Sequence, residues 1–348
     1  MQKIKICLLG FGNVGQAFAQ LLLDKHSFIL DQYDLNLQVV AIKTGRHGAV
    51  IDQDGLDLSQ VLETLKSGES LTIQTQPTSQ DLSSFLKASG ASVMAENTPV
   101  SYTDGQPALD HIRMALSLGM HVVTANKGPV VHAHKELIQL AAANNCRFLF
   151  ESTVMDGAPI FSLWRNALPA AELRSFRGIL NSTTNLILTR MESDESFDEA
   201  VKYAQSIGIA ETDPSGDIDG WDAAIKVAAL VNVLMGVSLL PQDVHRQGIR
   251  DIQTEDVQLA LQNGQRWKLI CEIQRDGTSV AATVKPQLID QSDALFSVMG
   301  TSSAVTFHSD VLGALTVTEE DPGPHTTAYG LLADTLNILR PSPQYSSP

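Results

Sequence analysis

An apolar run, Lys3-Ile-Lys-Ile-Cys-Leu-Leu, ends at Gly10, and glycines at 10, 12 and 15 then open onto Gln16-Ala-Phe-Ala-Gln-Leu-Leu-Leu. This order reads as a buried strand, a tight turn and a helix. In the turn Gly10-Phe11-Gly12-Asn13-Val14-Gly15, Gly10 permits the sharp reversal and Gly12 has no Cβ to keep a pyrophosphate from the backbone. Gly15 lets the helix pack close to the strand, and the helix N-terminus supplies N–H donors for the phosphate charge. Glycine turns without a nucleotide also occur, but the flanking strand and helix give this one the context of a dinucleotide site.

The rhythm that follows supports a doubly wound parallel sheet. Strands are expected at 37–42, 92–95, 121–124 and 147–150, and helices at 58–66, 109–118 and 133–143. From about residue 155 helical patterns dominate through Leu239, with one strand near 173–178. A hairpin follows over 267–273 and 279–284, turning at Arg275-Asp-Gly277. A last apolar helix covers 328–339. The expected division is a dinucleotide-binding domain over 1–150, an α+β catalytic and dimerisation domain over 151–320, and a segment, 321–339, that returns to the first domain. Residues 340–348 have nothing to bury and read as a disordered tail.

The chain of 348 residues has 39 acidic and 24 basic side chains, a net charge of −15. That balance argues against a dedicated nucleic-acid binder, which presents a basic face. Cys7, Cys146 and Cys271 are widely spaced and odd in number, which reads as unpaired thiols in a reducing compartment. The N-terminus shows no charged-then-apolar leader, and no apolar run approaches a membrane span, so the expectation is a cytoplasmic protein. The nine histidines form no convincing metal constellation; His132-Ala-His134 reads as part of a helix.

Cofactor choice turns on the end of the second strand. An NAD-selective site usually has an acid there, whereas this chain has Ile42-Lys43-Thr44-Gly45-Arg46-His47. Lys43 and Arg46 suit a 2′-phosphate, which favours NADP without excluding NAD; a solvated basic loop is the alternative.

The most informative stretch is Glu211-Thr-Asp213-Pro-Ser-Gly-Asp217-Ile-Asp219-Gly-Trp-Asp222-Ala-Ala-Ile-Lys226. A calcium loop starting at Ser215 would place Lys226 where the bidentate acid must sit, and that defeats the calcium reading. The alternative is a polar site at a helix start. Asp222 falls in the first turn, and Lys226, four residues on, shares its face. The helix around Lys226 is almost wholly apolar, and burial there lowers the lysine pKa toward the range useful for proton transfer. An ordinary helix salt bridge remains the plainer alternative. Lys127 and Glu151 each follow a predicted parallel strand, at the edge where open α/β sheets bind ligands.

Six segments in order now resemble the homoserine dehydrogenase family, in its short form without a C-terminal ACT regulatory domain. They are the glycine turn, Thr124-Ala-Asn-Lys127-Gly-Pro, Phe150-Glu-Ser-Thr-Val-Met-Asp-Gly-Ala-Pro159, Gly178-Ile-Leu-Asn-Ser-Thr183-Thr-Asn185, the Glu211–Lys226 segment and Gly323-Pro-His-Thr-Thr-Ala-Tyr-Gly330. The resemblance covers about residues 1–338. It implies a Rossmann-type nucleotide domain with an α+β second domain, and reversible NAD(P)-dependent reduction of L-aspartate 4-semialdehyde to L-homoserine, in threonine, methionine and isoleucine biosynthesis. It further implies Lys226 as proton donor, Lys127 as a second cation, and Asp222 as the residue orienting both substrate and Lys226. Glu211, Asp217 and Thr183 are implied substrate contacts, with a helix cap as the alternative for Thr183. Implied cofactor contacts, beyond the glycine turn, Lys43 and Arg46, are Asn97, Thr98, Lys127, Gly208, Glu211 and Gly323. A Na+ or K+ site formed largely by backbone carbonyls is implied at Glu151, Val154, Asp156 and Ala158, with Asp156 standing where a small residue is expected. A homodimer is also implied.

Two other readings compete. One is a related amino- or keto-acid oxidoreductase, which would need a different acidic segment. The other is a catalytically silent dinucleotide-binding regulator, which has little reason to carry Lys127, Asp222 and Lys226 together.

Overall fold

In the computed structural model, which describes residues 1–71, 81–277 and 279–339, the first strand leads into a glycine with φ +87° at Gly10. A Cβ at that glycine would run into the carbonyl of Asn97, so both its conformation and its neighbour demand glycine. The chain forms two units, residues 1–157 together with the segment from Gly323 onward, and residues 158–322.

The first unit begins β1 (Gln2–Leu9), α1 (Asn13–Tyr33), β2 (Leu35–Lys43), β3 (Ala49–Ile51), α2 (Leu58–Lys66) and α3 (Leu82–Ser89). It continues β4 (Val93–Glu96), α4 (Ala108–Ser117), β5 (His121–Thr124), α5 (Lys127–Ala143) and β6 (Phe148–Leu149). These strands form a sheet in the order β3-β2-β1-β4-β5-β6, parallel except for the β2–β3 pair. Because β2 and β4 flank β1, the strand order reverses there, and the crevice outside the carboxyl ends of β1 and β4 is the topological switch point. Phe18, Ala19, Leu22 and Ile29 of α1 are buried at helical spacing and join Ile4, Ile6 and Leu8 of β1 in one core.

The second unit comprises α6 (Ile160–Ser162), β7 (Leu173–Ile179), α7 (Ser182–Met191), α8 (Phe197–Ser206), α9 (Ser215–Ile218) and α10 (Trp221–Leu230). Then come β8 (His245–Arg246), α11 (Thr254–Gln262), β9 (Gln265–Asp276), β10 (Ser279–Asp290), β11 (Ser303–Ser309) and β12 (Ala314–Glu319). Its sheet runs β12-β11-β7-β9-β10-β8, antiparallel apart from the β8–β10 pair. Finally α12 (Pro324–Leu339) lies in the first unit, along α1, and places Ala328, Leu331, Leu332 and Ile338 in that unit's core.

Several elements depart from the sequence expectation. The helix expected from Ala133 begins at Lys127, because the Asn126 side chain caps it and Pro129 sits in its first turn; a non-helical φ of −147° at Ala133 marks the kink. His132 and His134 lie within that helix, with His132 Nε2 3.3 Å from the Tyr102 carbonyl and His134 edge-on to Phe150. The expected hairpin is present but longer, and β11 and β12 were not anticipated. All three cysteines are free and buried, and desolvation pushes the Cys271 thiol up to about 12. The tail expected to be disordered, 340–348, lies outside the described residues. Among the described residues no helix is long and apolar enough to cross a membrane.

One buried cation shapes the second unit. Lys268 of β9 is fully buried, with Nζ 2.8 Å from Asn185 Oδ1 and 2.6 Å from the Val298 carbonyl. Asn185 Nδ2 in turn donates to the carbonyls of Val298, Gly300 and Ser302, so the 298–302 turn is pinned to α7. Burial, only partly opposed by Glu192, lowers the Lys268 ammonium from 10.5 to about 8. The unfolded chain therefore binds more protons than the folded one between those values, and stability rises with pH through that window. Relative to a Lys268→Met variant, the wild-type unfolding free energy should rise by roughly 2 kcal/mol from pH 7 to pH 10 in urea titrations. A pH-independent difference between the two proteins would refute the assignment of Lys268 as the titrating group.

Candidate active site

In the first unit the switch point is built from two turns. Gly12 offers no side-chain cap to α1, so the N–H groups of its first turn face outward. Beside this turn, Glu96 ends β4 with its carboxylate fully buried. It accepts from the Thr98 backbone N–H at 3.1 Å and from the Thr98 hydroxyl, with Thr124 Oγ1 at 3.3 Å and His111 Nδ1 at 3.4 Å. These contacts fix the Asn97–Thr98 turn. Asn97 is left with both side-chain polar atoms buried and without a hydrogen-bond partner among the described residues. A donor–acceptor pair desolvated in this way is suited to a ligand with matching polar groups. Asn126 completes the frame: Nδ2 donates to the Thr98 carbonyl at 3.0 Å, and Oδ1 accepts the Gly128 N–H at 3.0 Å, which sets Lys127, half-buried, as the first residue of α5.

Lys43 ends β2 half-buried, with Nζ 5.4 Å from the centre of the Phe85 ring, while Arg46 is exposed on the following loop. The turn after β6 is laid along α12. The buried Asp334 carboxylate accepts the Glu151 N–H at 2.7 Å, and Ser152 Oγ donates to the Thr327 carbonyl at 2.7 Å. A Cβ at Gly157 or Gly330 would collide with the Thr326 carbonyl or Ser152 Oγ, respectively. Glu151 and Val154 are buried, and Asp156 takes a left-handed φ of +40°. Its carboxylate lies 3.1 Å from Thr326 Oγ1, and that hydroxyl also accepts the Gly323 N–H at 2.8 Å. Among the described residues no group of three or more His, Cys, Asp or Glu is placed to hold a metal ion.

In the second unit the acidic segment becomes α9 and the start of α10. Lys226 Nζ lies 3.0 Å from Asp222 Oδ2 and donates to the Leu180 carbonyl at 2.8 Å, with both side chains largely buried. Asn181 Nδ2 donates to Asp222 Oδ2 at 3.0 Å and to Asp217 Oδ1 at 2.6 Å. Desolvation, and then the charge of Asp222, push the Asp217 carboxyl above its ordinary value; hydrogen bonds from Asn181 and Thr183 and the Lys226 charge act against this. Thr183 is buried, with Oγ1 3.3 Å from the Ile209 carbonyl. The capping alternative for Thr183 fails, because the α7 cap is Asn181, whose Oδ1 accepts the Thr184 N–H at 2.8 Å.

The structure thus gathers Thr183, Asp217, Asp222 and Lys226. Glu211 is exposed and makes no side-chain hydrogen bond to that group among the described residues; Gly208 is exposed with φ +76° just past α8. The Ala158 carbonyl accepts the Ile160 N–H at 2.8 Å. Sequence reasoning overlooked Asn181, Glu96 and Asn126. Asn181 carried a signal, an asparagine directly before Ser-Thr-Thr at a helix start, and Glu96 another, a lone acid closing an apolar strand.

Comparison with known proteins gives the same picture. The homoserine dehydrogenase family profile matches residues 159–336, and that of the homoserine dehydrogenase NAD binding domain matches residues 10–151. An NAD(+)-dependent homoserine dehydrogenase of Pseudomonas canavaninivorans is 36% identical over 340 residues, covering 97% of each chain. A homoserine dehydrogenase of Methanocaldococcus jannaschii is 38% identical over 335 residues, covering 96% of this chain and 98% of its own. The crystal structure of homoserine dehydrogenase from Thermoplasma acidophilum superposes with a TM-score of 0.83 at 26% identity, covering 97% of this chain and 99% of that one. This chain belongs to the homoserine dehydrogenase family, the NAD(P)-dependent oxidoreductases that act on a CH–OH group.

Proposed function

We propose that the protein interconverts L-aspartate 4-semialdehyde and L-homoserine, with Lys226 as the proton donor in reduction. The observation that carries this reading is the buried Lys226 ammonium, held between Asp222 Oδ2 and the Leu180 carbonyl. A bound nicotinamide nucleotide supplies the hydride for reduction and takes it in oxidation. As the carbonyl π bond opens onto oxygen, Lys226 Nζ releases a proton to that oxygen, and in oxidation it recovers one from the hydroxyl. Asp222 orients Lys226, and Lys127 adds a second positive charge that favours the developing alkoxide. Glu211 accepts from the substrate amino group, and Asp217, Asp222 and Thr183 fix its polar atoms.

The cradle fits a dinucleotide: a glycine turn that a Cβ would block, a helix start without a side-chain cap, and the desolvated Asn97 amide. The nucleotide contacts are Gly10, Phe11, Gly12, Asn13, Val14, Gly15, Asn97, Thr98 and Lys127, with Gly208, Glu211 and Gly323. Lys43 and Arg46, with no acid at the end of β2, favour NADP over NAD. Carbonyl oxygens suit a hard cation, and Glu151, Val154, Asp156 and Ala158 are assigned to Na+ or K+. The working form is a cytoplasmic homodimer in threonine, methionine and isoleucine biosynthesis.

The direct test follows nicotinamide absorbance while L-homoserine is given with NADP or NAD in parallel, with Na+ or K+ present at alkaline pH. Homoserine-dependent reduction, faster with NADP, is expected; no reduction with either nucleotide refutes the reading. Lys226→Ala should lower kcat by about 100-fold or more while nucleotide binding is retained, and Lys226→Arg, which keeps the charge but does not release a proton, should be as inactive. Near-normal turnover in either would remove Lys226 as the donor. The double change Lys43→Ala with Arg46→Ala should reduce kcat/KM for NADP about tenfold and leave that for NAD within about twofold. Equal losses with both nucleotides would show that the two cations do not read the 2′-phosphate.

A further inference from the structure

We infer that Asn181 is a positioning residue for the proposed reaction, its side-chain amide setting the spacing of Asp217 and Asp222 and through Asp222 the place of the Lys226 ammonium. The inference rests on the proposed dehydrogenase activity. Asn181 is 3% exposed, and every hydrogen-bonding position of its amide is used. Oδ1 accepts the Thr184 N–H and lies 2.8 Å from Thr184 Oγ1, while Nδ2 places one N–H on Asp217 Oδ1 and the other on Asp222 Oδ2. The orientation is not interchangeable, because the oxygen must meet the helix N–H and the nitrogen must then face the carboxylates.

Asp222 Oδ2, the oxygen that Asn181 holds, is also the oxygen nearest Lys226 Nζ. The residue before it, Leu180, gives its carbonyl to the same Nζ. Two consecutive residues at the end of β7 therefore grip both members of the ion pair, one through a carbonyl on the ammonium and one through an amide on the carboxylate. An ion pair at (i, i+4) on a helix is ordinarily weak and mobile; this one is referenced to a separate strand. The amide is also the neutral donor that lets two carboxylates lie side by side in a dry place, where an aspartate at 181 would add a third negative charge. Among the described residues, the ionisable groups that face this point include Asp217 from α9, Asp222 and Lys226 from α10, and the Cys271 thiol from β9, which stays neutral.

Capping and positioning can be separated, because serine and aspartate both cap helices and neither supplies the two N–H donors. In Asn181→Ser and Asn181→Asp, homoserine-dependent kcat should fall about 30-fold or more, with nucleotide affinity held within about twofold; the melting temperature should stay within a few degrees in Asn181→Ser and fall further in Asn181→Asp, which adds a buried charge. Loss of the donor also removes one of the contacts that oppose the upward shift of Asp217, leaving Thr183 and Lys226, so the acidic limb of the kcat–pH profile should move to higher pH, furthest in Asn181→Asp. Turnover within about threefold of wild type with an unmoved acidic limb would overturn the inference. So would parallel loss of nucleotide binding and of the thermal transition in both variants, which would assign Asn181 to folding alone. Absence of turnover in the wild type would instead refute the dehydrogenase reading on which the inference rests.

Discussion

The second unit is organised around the need to give two buried ammonium groups oxygen partners. An unpaired charge in such a place costs several kcal/mol. Both lysines find their partners at α7 and the strand end that leads into it. Lys226 takes the Leu180 carbonyl and an aspartate held by Asn181, and Lys268 takes the side chain of Asn185 one turn further on. The helix is thus fixed at its start to α10 and further along to β9 and the 298–302 turn. Both lysines thus make a contact with the stretch from Leu180 to Asn185.

The first unit meets a different requirement, room for a ligand where the strand order reverses. Parallel strands end together on one edge, and β1 and β4 there deliver two turns into contact at Gly10 and Asn97. The buried Glu96 keeps the second turn tight by collecting the N–H and hydroxyl of Thr98. That leaves Asn97 with its polar atoms desolvated and no protein partner among the described residues, an arrangement that a folded chain retains where a ligand completes it.

Much of this was readable from local pattern. The glycine turn, the hairpin at Asp276-Gly277 and the Asp222–Lys226 pair are short-range signals, and each appears in the structure as its spacing implies. What escaped was long-range. Lys268 carries no local signal, because its partner Asn185 is 83 residues away. Asn181 was overlooked as the helix cap, and the carboxylates it joins lie 36 and 41 residues further along. The early start of α5 depended on Asn126 reaching back to the Thr98 and Pro99 carbonyls. The strands β11 and β12 were missed although Thr-Val-Thr in β12 carries the alternation of an edge strand, exposed on one face.

The lodging of α12 against the turn after β6 has a consequence for the order in which the protein is made. Domains generally fold as units while the chain is being synthesised, the N-terminal one first. Here Asp334, Thr327 and four core side chains of the first unit are translated after the whole of residues 158–322. Until that segment emerges, the nucleotide-binding half carries an uncovered seam beside α1 and Glu151, although the whole of residues 158–322 has already been made.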